Sequence, residues 1–127
     1  MHIQHLHAFA GRPDLAAARV RKSLAEAYAN SADGMPDDED MGCQSAYYIC
    51  NAIGLYPIYG RTFYSVVPPL FERVTLAYGG TGRALTIVRI GDGSRVKEVR
   101  FNGTELSGTL IEHVVIASGG TLEIETI

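Results

Sequence analysis

The residue pattern of this sequence changes near residue 55, and that change constrains the fold most strongly. Before it, apolar residues recur at the spacing of amphipathic helices. After it, short runs rich in β-branched and aromatic residues are divided by glycine turns, which is typical of an antiparallel sheet. Strands are predicted near residues 62–67, 72–78, 84–90, 95–101, 109–117 and 120–126. We therefore expect an α+β fold in which a helical hairpin precedes an antiparallel, β-sandwich-like sheet.

Two helices are predicted in the first part of the chain. The first covers residues 14–29, with Pro13 in its first turn. Its apolar stripe consists of Ala17, Val20, Leu24, Ala27 and Tyr28. The second covers residues 43–53, and its stripe consists of Ala46, Ile49, Cys50 and Ile53, widened by Tyr47 and Tyr48. Because the second helix has almost no charged face, we expect it to be buried between other elements.

The chain is expected to divide into two parts. Residues 1–60 would form the helical segment, and residues 61–127 an antiparallel β subdomain. The clearest single turn lies in the second part, at Phe101-Asn102-Gly103-Thr104. An Asn-Gly pair accepts the positive φ angles of a type I′ turn, so this segment predicts a tight hairpin.

Five carboxylates lie within ten residues between the two predicted helices. They are Asp33, Asp37, Asp38, Glu39 and Asp40. Such a cluster is solvated, paired or bound to a metal ion. The Asp-x-Asp spacing of Asp38 and Asp40 occurs in calcium sites, but the segment is not an EF-hand because the closing Glu is missing. The spacing alone therefore favours a solvated loop over a calcium site or an acid–base centre.

Charge and hydropathy exclude several functional classes. The net charge is −3, and the eleven Lys and Arg residues are scattered, which argues against a nucleic-acid partner. No run of about 18 apolar residues occurs, so no membrane-spanning helix is expected. The first residues also show no signal peptide. Cys43 and Cys50 are about two helical turns apart, too far to form a disulfide with each other.

The histidines and tyrosines are interpreted mainly as packing residues. His5 and His7 have no evident partner ligand, and His113 falls in a predicted strand. Four tyrosines are candidates for stacking against sugar, although most of them are expected in the core. They are Tyr47, Tyr48, Tyr56 and Tyr59.

Six short motifs occur in a fixed order along the chain. They are Asp38-Glu39-Asp40-Met41-Gly42, Ser45-Ala46-Tyr47-Tyr48, Gly54-Leu55-Tyr56-Pro57-Ile58, Pro69-Leu70-Phe71, Phe101-Asn102-Gly103, and His113 through Gly119-Gly120-Thr121-Leu122-Glu123. In this order they resemble the C-terminal stretch of glycoside hydrolase family 92, a family of calcium-dependent, exo-acting α-mannosidases. The chain departs from the family pattern at Asp37, Cys43 and Tyr47, where the family usually has Gly, Gln and Trp.

The resemblance implies a fold, a reaction and roles for two residues. It implies an enzyme that removes terminal α-mannose with inversion and contains an N-terminal β-sandwich and an (α/α)6 toroid. The helical hairpin would be a fragment of that toroid. Asp38 and Asp40 match the family's Asp-x-Asp, so they would be catalytic residues on the general-base side, with Asp40 also a calcium ligand. The family's catalytic acid lies upstream of these residues, so this C-terminal portion is expected to be inactive alone.

A second hypothesis is a non-catalytic module that binds carbohydrate in a calcium-dependent manner or acts as an interaction surface. An α-mannoside glycan is the expected ligand under the enzymatic hypothesis. The expected protein partners are a second copy of the chain or a complementing upstream domain, because the uncharged second helix would otherwise expose apolar surface. The resemblance suggests a secreted, periplasmic or cell-surface protein, and the residues themselves leave the compartment unknown.

Overall fold

Residues 2–127 are described by a computed structural model with an α+β fold. A 3₁₀ turn at His2–His5 precedes helices α1 (Leu6–Phe9), α2 (Pro13–Glu26) and α3 (Cys43–Ala52), and α4 (His113–Ile116) lies near the end of the chain. The strands are β1 (Leu55–Pro57), β2 (Phe63–Val66), β3 (Arg73–Tyr78), β4 (Arg83–Ile90), β5 (Val96–Phe101), β6 (Thr104–Glu105), β7 (Leu110–Glu112) and β8 (Gly120–Thr126). None of the helices in this range is long and apolar enough to cross a membrane.

Helix α2 forms where the apolar spacing predicts a helix. Pro13 occupies its first turn, where the missing N–H costs no hydrogen bond. The side chains buried on its inner face are Ala16, Ala17, Val20 and Leu24. This confirms the central part of the predicted stripe. The helix ends at Glu26, so Ala27 and Tyr28, which are half-buried, follow it rather than belong to it.

The buried face of α3 differs from the predicted one. Tyr47, Asn51 and Ala52 are buried, whereas Ala46 is exposed and Ile49 is 57% exposed. The Tyr47 ring packs at 5.6 Å from the Tyr56 ring of β1. Residues two apart lie on nearly opposite sides of a helix, so seating Tyr47 inward turns Ile49 outward. The prediction that α3 is buried between other elements was therefore wrong, as was the inward placement of Ala46 and Ile49, while Cys50 and Ile53 are half-buried.

Eight strands within residues 2–127 form two sheets. The smaller sheet has the order β1-β2-β7 and is antiparallel throughout. The larger sheet has the order β3-β4-β8-β5-β6. The predicted strands near 62–67, 72–78, 84–90, 95–101 and 120–126 are confirmed as β2, β3, β4, β5 and β8. Side chains of both sheets share one hydrophobic core, to which Leu55, Ile111, Leu85, Leu122 and Ile124 belong.

The larger sheet is mixed rather than antiparallel. Strand β8 pairs in parallel with β4, from Leu85↔Gly120 to Ile90↔Glu125, and antiparallel with β5. The chain passes through the smaller sheet and α4 before β8 returns between β4 and β5, and a long connection of this kind permits parallel pairing. The prediction of a purely antiparallel sheet was therefore wrong for this one pair.

The predicted Asn-Gly hairpin is confirmed. Phe101 pairs with Thr104 across the turn, and Asn102 and Gly103 have φ angles of 49° and 80°. Positive φ at both central residues is the geometry of a type I′ turn. The Asn102 side chain also accepts a hydrogen bond from the Thr121 N–H at 2.8 Å, which ties the turn to the start of β8.

The predicted strand at 109–117 is only partly correct. It forms strand β7 at Leu110–Glu112 and then turns into the short helix α4. The carbonyl of Ile116 accepts a hydrogen bond from the Tyr78 hydroxyl at 2.7 Å, so a tertiary contact holds the turn. His113 thus begins a helix instead of lying in a strand, and β-propensity gives way to packing.

A second, smaller core joins the helices to the chain after α3. Its buried members are Val20, Leu24, Tyr47, Tyr56, Ile58 and Val67. Strand β1 lies before residue 61 and pairs with β2, which lies after it. The division of the chain into residues 1–60 and 61–127 stays a prediction.

Candidate active site

The acidic segment forms the connection between α2 and α3. Its first half is a tight turn in which the Ala29 N–H donates to the Gly34 carbonyl at 2.9 Å. Gly34 is buried, and a Cβ atom there would lie 1.8 Å from the Ala29 carbonyl oxygen. A side chain at position 34 would clash with the backbone, so this turn requires glycine. The turn sets where the chain continues after α2, towards the acidic residues.

Asp38 and Asp40 both lie exposed in this connection. The Asp38 N–H donates to the Asp37 carboxylate at 2.9 Å, and Asp38 itself is exposed to solvent. Two exposed carboxylates in one loop can accept a proton from water or bind a hard cation. The predicted roles of Asp38 and Asp40 stay predictions.

The backbone from Asp40 to Gly42 is unusual. Asp40, Met41 and Gly42 have φ angles of 51°, 60° and 89°, so three consecutive residues lie in the left-handed region. For residues other than glycine this region costs about 1–3 kcal/mol each, and it persists only where the surroundings enforce it. The Met41 side chain is fully exposed, so its own packing does not enforce it.

Glu39 is the acidic residue of this segment whose side chain hydrogen-bonds to the first turn of α3. One carboxylate oxygen, Oε1, accepts the Ser45 N–H at 3.1 Å, and the Glu39 carbonyl accepts the Gln44 N–H at 3.2 Å. The sequence predicts a solvated loop that includes Glu39, and this is wrong for Glu39, which is half-buried with its Oε2 atom shielded from solvent. The available signal was a carboxylate just before the first turn of a helix, where free N–H groups attract negative charge.

The oxygen atoms of this loop suit calcium in kind but are not grouped around one point. Calcium takes about six to eight oxygen ligands, several of them carboxylates. Within residues 2–127, no group of three or more His, Cys, Asp or Glu side chains is arranged to hold a metal ion. Asp38 and Asp40 can therefore supply only part of a calcium coordination sphere, and the remaining oxygens would come from elsewhere.

An open groove of about 510 Å³ lies beside the acidic connection. Its aromatic and apolar lining comes from Tyr28, Met35, Tyr48 and Ile49. The Tyr28 hydroxyl donates to Gln44 Oε1 at 2.9 Å, which joins the end of α2 to the first turn of α3. Of the four tyrosines considered for sugar stacking, Tyr47 and Tyr56 are buried in the core, whereas Tyr48 is half-buried and Tyr59 is exposed.

His5 belongs to the packed interior, as predicted. Its side chain is fully buried and stacks on Tyr56, with ring centroids 4.2 Å apart. Burial lowers the pKa of His5 to about 4; the Asn51 amide opposes this shift, and His2 adds to it. His113 is exposed, and its Nδ1 atom lies 3.0 Å from the Tyr64 hydroxyl. Neither histidine lies in the acidic connection.

A family description and solved structures match nearly the whole chain. The model of the glycosyl hydrolase family 92 catalytic domain matches residues 1–126. An uncharacterized secreted glycosidase of Arthroderma benhamiae is 30% identical over 124 residues, which cover 94% of this chain and 16% of that protein.

Two solved structures from Bacteroides thetaiotaomicron are similar in fold. A family GH92 α-mannosidase in complex with mannoimidazole superimposes with a TM-score of 0.88 at 23% identity, over 99% of this chain and 17% of that one. A family GH92 inverting mannosidase gives a TM-score of 0.74 at 26% identity, over 89% of this chain and 16% of that one. The chain thus spans about a sixth of the length of these relatives.

Proposed function

This chain belongs to glycosyl hydrolase family 92, and on that basis we propose that it supplies the C-terminal, general-base part of an inverting exo-α-mannosidase. The match of residues 1–126 to the family's catalytic domain carries the proposal. One of the similar solved structures is described as an inverting mannosidase. The substrate would be a terminal α-mannoside of a glycan.

The base side of such a reaction needs an ionised carboxylate that water can reach. In an inverting glycosidase, one carboxylate takes a proton from the attacking water while a carboxylic acid about 6.5–9.5 Å away protonates the leaving oxygen. Asp38 and Asp40 are exposed and lie on either side of Glu39, which is held at the start of α3. In the proposal these two carboxylates orient the water and accept its proton, and the acid comes from outside this chain.

A calcium ion is part of the proposal, with Asp40 as its ligand from this chain. When bound, the cation would favour the ionised form of nearby carboxylates and help to hold the sugar hydroxyl groups. Because no three acidic side chains converge on one point among residues 2–127, the isolated chain should bind calcium only weakly. Isothermal titration with Ca²⁺, repeated for Asp40→Asn, measures this. A site with micromolar affinity for Ca²⁺ in the isolated chain would contradict the proposal that the remaining calcium ligands come from outside this chain.

The exposed apolar side chains of the first sixty residues favour a complementing partner. They include Ile3, Leu6, Phe9, Met35, Ile49 and Tyr59. Where such side chains lie together on the surface, they mark an interface. In the proposal, further helices of the catalytic region cover this surface and bring the catalytic acid, so the chain alone does not turn over substrate.

Two assays test the proposed function. The isolated chain is incubated with 4-nitrophenyl α-mannoside and calcium, and no hydrolysis is expected. The chain then replaces the matching segment of the inverting mannosidase of B. thetaiotaomicron, and this chimera should hydrolyse the substrate. NMR of the first product should show β-mannose, the sign of inversion.

Asp40→Asn is the decisive variant in the chimera. Loss of a general base lowers kcat about 10²–10⁴-fold, and Asp38→Asn should also reduce it. Asp33→Asn, an exposed carboxylate in the same connection, is the matched control and should leave kcat unchanged. Full activity of the Asp40→Asn chimera would refute the base role. Saturable mannose binding by the isolated chain without hydrolysis in the chimera would favour the non-catalytic module instead.

A further inference from the structure

We propose that Glu39 is a positioning residue that holds the left-handed segment Asp40–Gly42 against the first turn of α3 and so fixes the backbone from which the exposed carboxylates of Asp38 and Asp40 project. The inference deepens the proposed function and rests on it, because the roles of Asp38 and Asp40 give the loop geometry its consequence. The hydrogen bonds of Glu39 and the backbone angles that they support do not depend on the identity of the substrate.

The first observation is that α3 lacks an ordinary N-terminal cap. Its N-cap residue is Gly42, which has no side chain to accept a hydrogen bond. The first N–H groups of a helix have no intrahelical acceptor and need another partner. The Glu39 carboxylate, three residues before Gly42, accepts the Ser45 N–H at 3.1 Å and fills this role.

The second observation is that Glu39 closes a small ring of backbone around the left-handed residues. Its carbonyl accepts the Gln44 N–H at 3.2 Å, and the Asp40 carbonyl accepts the Cys43 N–H at 3.3 Å. The segment from 39 to 45 is thus tied at both ends of the turn. Left-handed φ angles at Asp40 and Met41 are unfavourable by themselves and need support from their surroundings. The two backbone bonds do not depend on the side chain at position 39, so the side-chain part of that support is the Glu39–Ser45 bond.

The third observation is that the Glu39 carboxylate is withdrawn from solvent, unlike its acidic neighbours. Its Oε2 atom is buried, while Asp37, Asp38 and Asp40 are exposed. Glu39 also lies close enough to Tyr28 to help raise the pKa of that hydroxyl, after the larger effects of burial and of Tyr47. Tyr28 in turn donates to Gln44. Glu39 therefore sits inside the junction of α2, the acidic connection and α3.

This arrangement makes the acceptor oxygen, not the negative charge, the required feature. Glu39→Gln keeps the side-chain length and an acceptor oxygen but removes the charge. Glu39→Asp keeps the charge but is one methylene shorter and should not reach Ser45. Glu39→Ala removes both. Asp33→Ala removes one exposed charge from the same connection and is the matched control.

The test is NMR spectroscopy of the 127-residue chain and these variants. A residue with positive φ gives a strong nuclear Overhauser effect between its own amide proton and its own Hα. These positive-φ contacts should be present at Asp40 and Met41 in the wild type, in Glu39→Gln and in Asp33→Ala. They should disappear in Glu39→Asp and Glu39→Ala, with at least tenfold faster exchange of the Ser45 amide and unchanged exchange at Ile53. Retention of the positive-φ contacts in both Glu39→Asp and Glu39→Ala, or their loss in Glu39→Gln, would overturn the inference.

The chimeric mannosidase separates this inference from the proposed function. Glu39→Asp should lower kcat at least tenfold with KM unchanged, and Glu39→Gln should restore it, which a merely stabilising residue would not show. If Asp40→Asn leaves hydrolysis unchanged, the proposed function fails while the NMR result on Glu39 stands. If Asp40→Asn abolishes hydrolysis but Glu39→Asp leaves kcat unchanged, the positioning role fails while the base role stands.

Discussion

The imidazole ring of His5 lies parallel to the phenol ring of Tyr56, with an angle of 2° between them and 4.2 Å between their centroids. The His5 side chain is fully buried, and both its ring nitrogens are shielded from solvent. A charged imidazolium in this position would lose its hydration without gaining a carboxylate. His5 is therefore neutral in the folded protein, as its pKa of about 4 indicates.

The first prediction is that stability falls as the pH is lowered from about 6.5 to 4. The unfolded chain binds a proton at His5 near pH 6.5, whereas the folded chain does not until about pH 4. The unfolded state therefore binds more protons in this window, and the free energy of unfolding decreases with falling pH by up to about 3 kcal/mol. Urea unfolding at intervals between pH 7 and pH 4 measures it.

Two variants attribute this pH dependence to His5. His5→Phe keeps a ring to stack on Tyr56 and cannot titrate, so its stability should depend less on pH in this window than that of the wild type. His7→Gln removes a half-buried histidine and should retain the wild-type slope. A His5→Phe protein with the full slope would assign the effect to other groups.

The second prediction compares two glycines with the same backbone angle. Gly103 and Gly119 both have φ of 80°, but a Cβ at Gly103 would meet nothing within 4 Å, whereas one at Gly119 would lie 2.7 Å from the Ala84 carbonyl oxygen. Gly103→Ala should cost about 1 kcal/mol from the positive φ alone, and Gly119→Ala should cost at least twice that. Thermal unfolding of both variants decides, and equal losses would show that the close approach has no effect.

The sequence was most informative where structure depends on neighbouring residues. Asn102 and Gly103 define their turn by themselves, because few residue types accept positive φ, and the prediction was confirmed. The spacing of apolar residues likewise located α2 and α3. The spacing did not predict which side of α3 is buried, because that side is determined by contact with Tyr56, a residue of another element.

The direction in which strands pair could not be predicted from neighbouring residues either. Alternating residues indicate a strand but not its direction, so the parallel pairing of β4 with β8 was not predictable. In the candidate site, Asp40 and Met41 are not residue types that require positive φ, and the bond from Glu39 to Ser45 exists only because the chain turns there. The sequence thus indicated that the acidic residues lie between two helices, but it did not indicate which of them contacts α3.

The third prediction concerns the centre of the larger sheet. Leu122 lies on β8, between β4 and β5, and is 0% exposed. Leu122→Ala should destabilise the protein by about 3–4 kcal/mol, because it removes buried methyl groups and leaves a cavity. Leu70→Ala, at a position 39% exposed, makes the same chemical change and should cost less than half as much. Chemical denaturation compares them, and similar losses would contradict the central position of β8 in the core.

The fourth prediction tests whether the outward face of α3 is an interface. Ile49 is 57% exposed on a helix without charged residues and lines the groove beside Tyr48. The isolated chain should self-associate through this face, and Ile49→Lys should shift it towards the monomer while changing the melting temperature little, because an exposed position adds little to the core. Sedimentation velocity at several concentrations measures the shift.

Val114→Lys, which replaces a β-branched side chain that is 73% exposed on α4, is the control and should leave association unchanged. If Ile49→Lys associates as the wild type does, or if the wild type is monomeric at high concentration, this face is not the one that a partner covers.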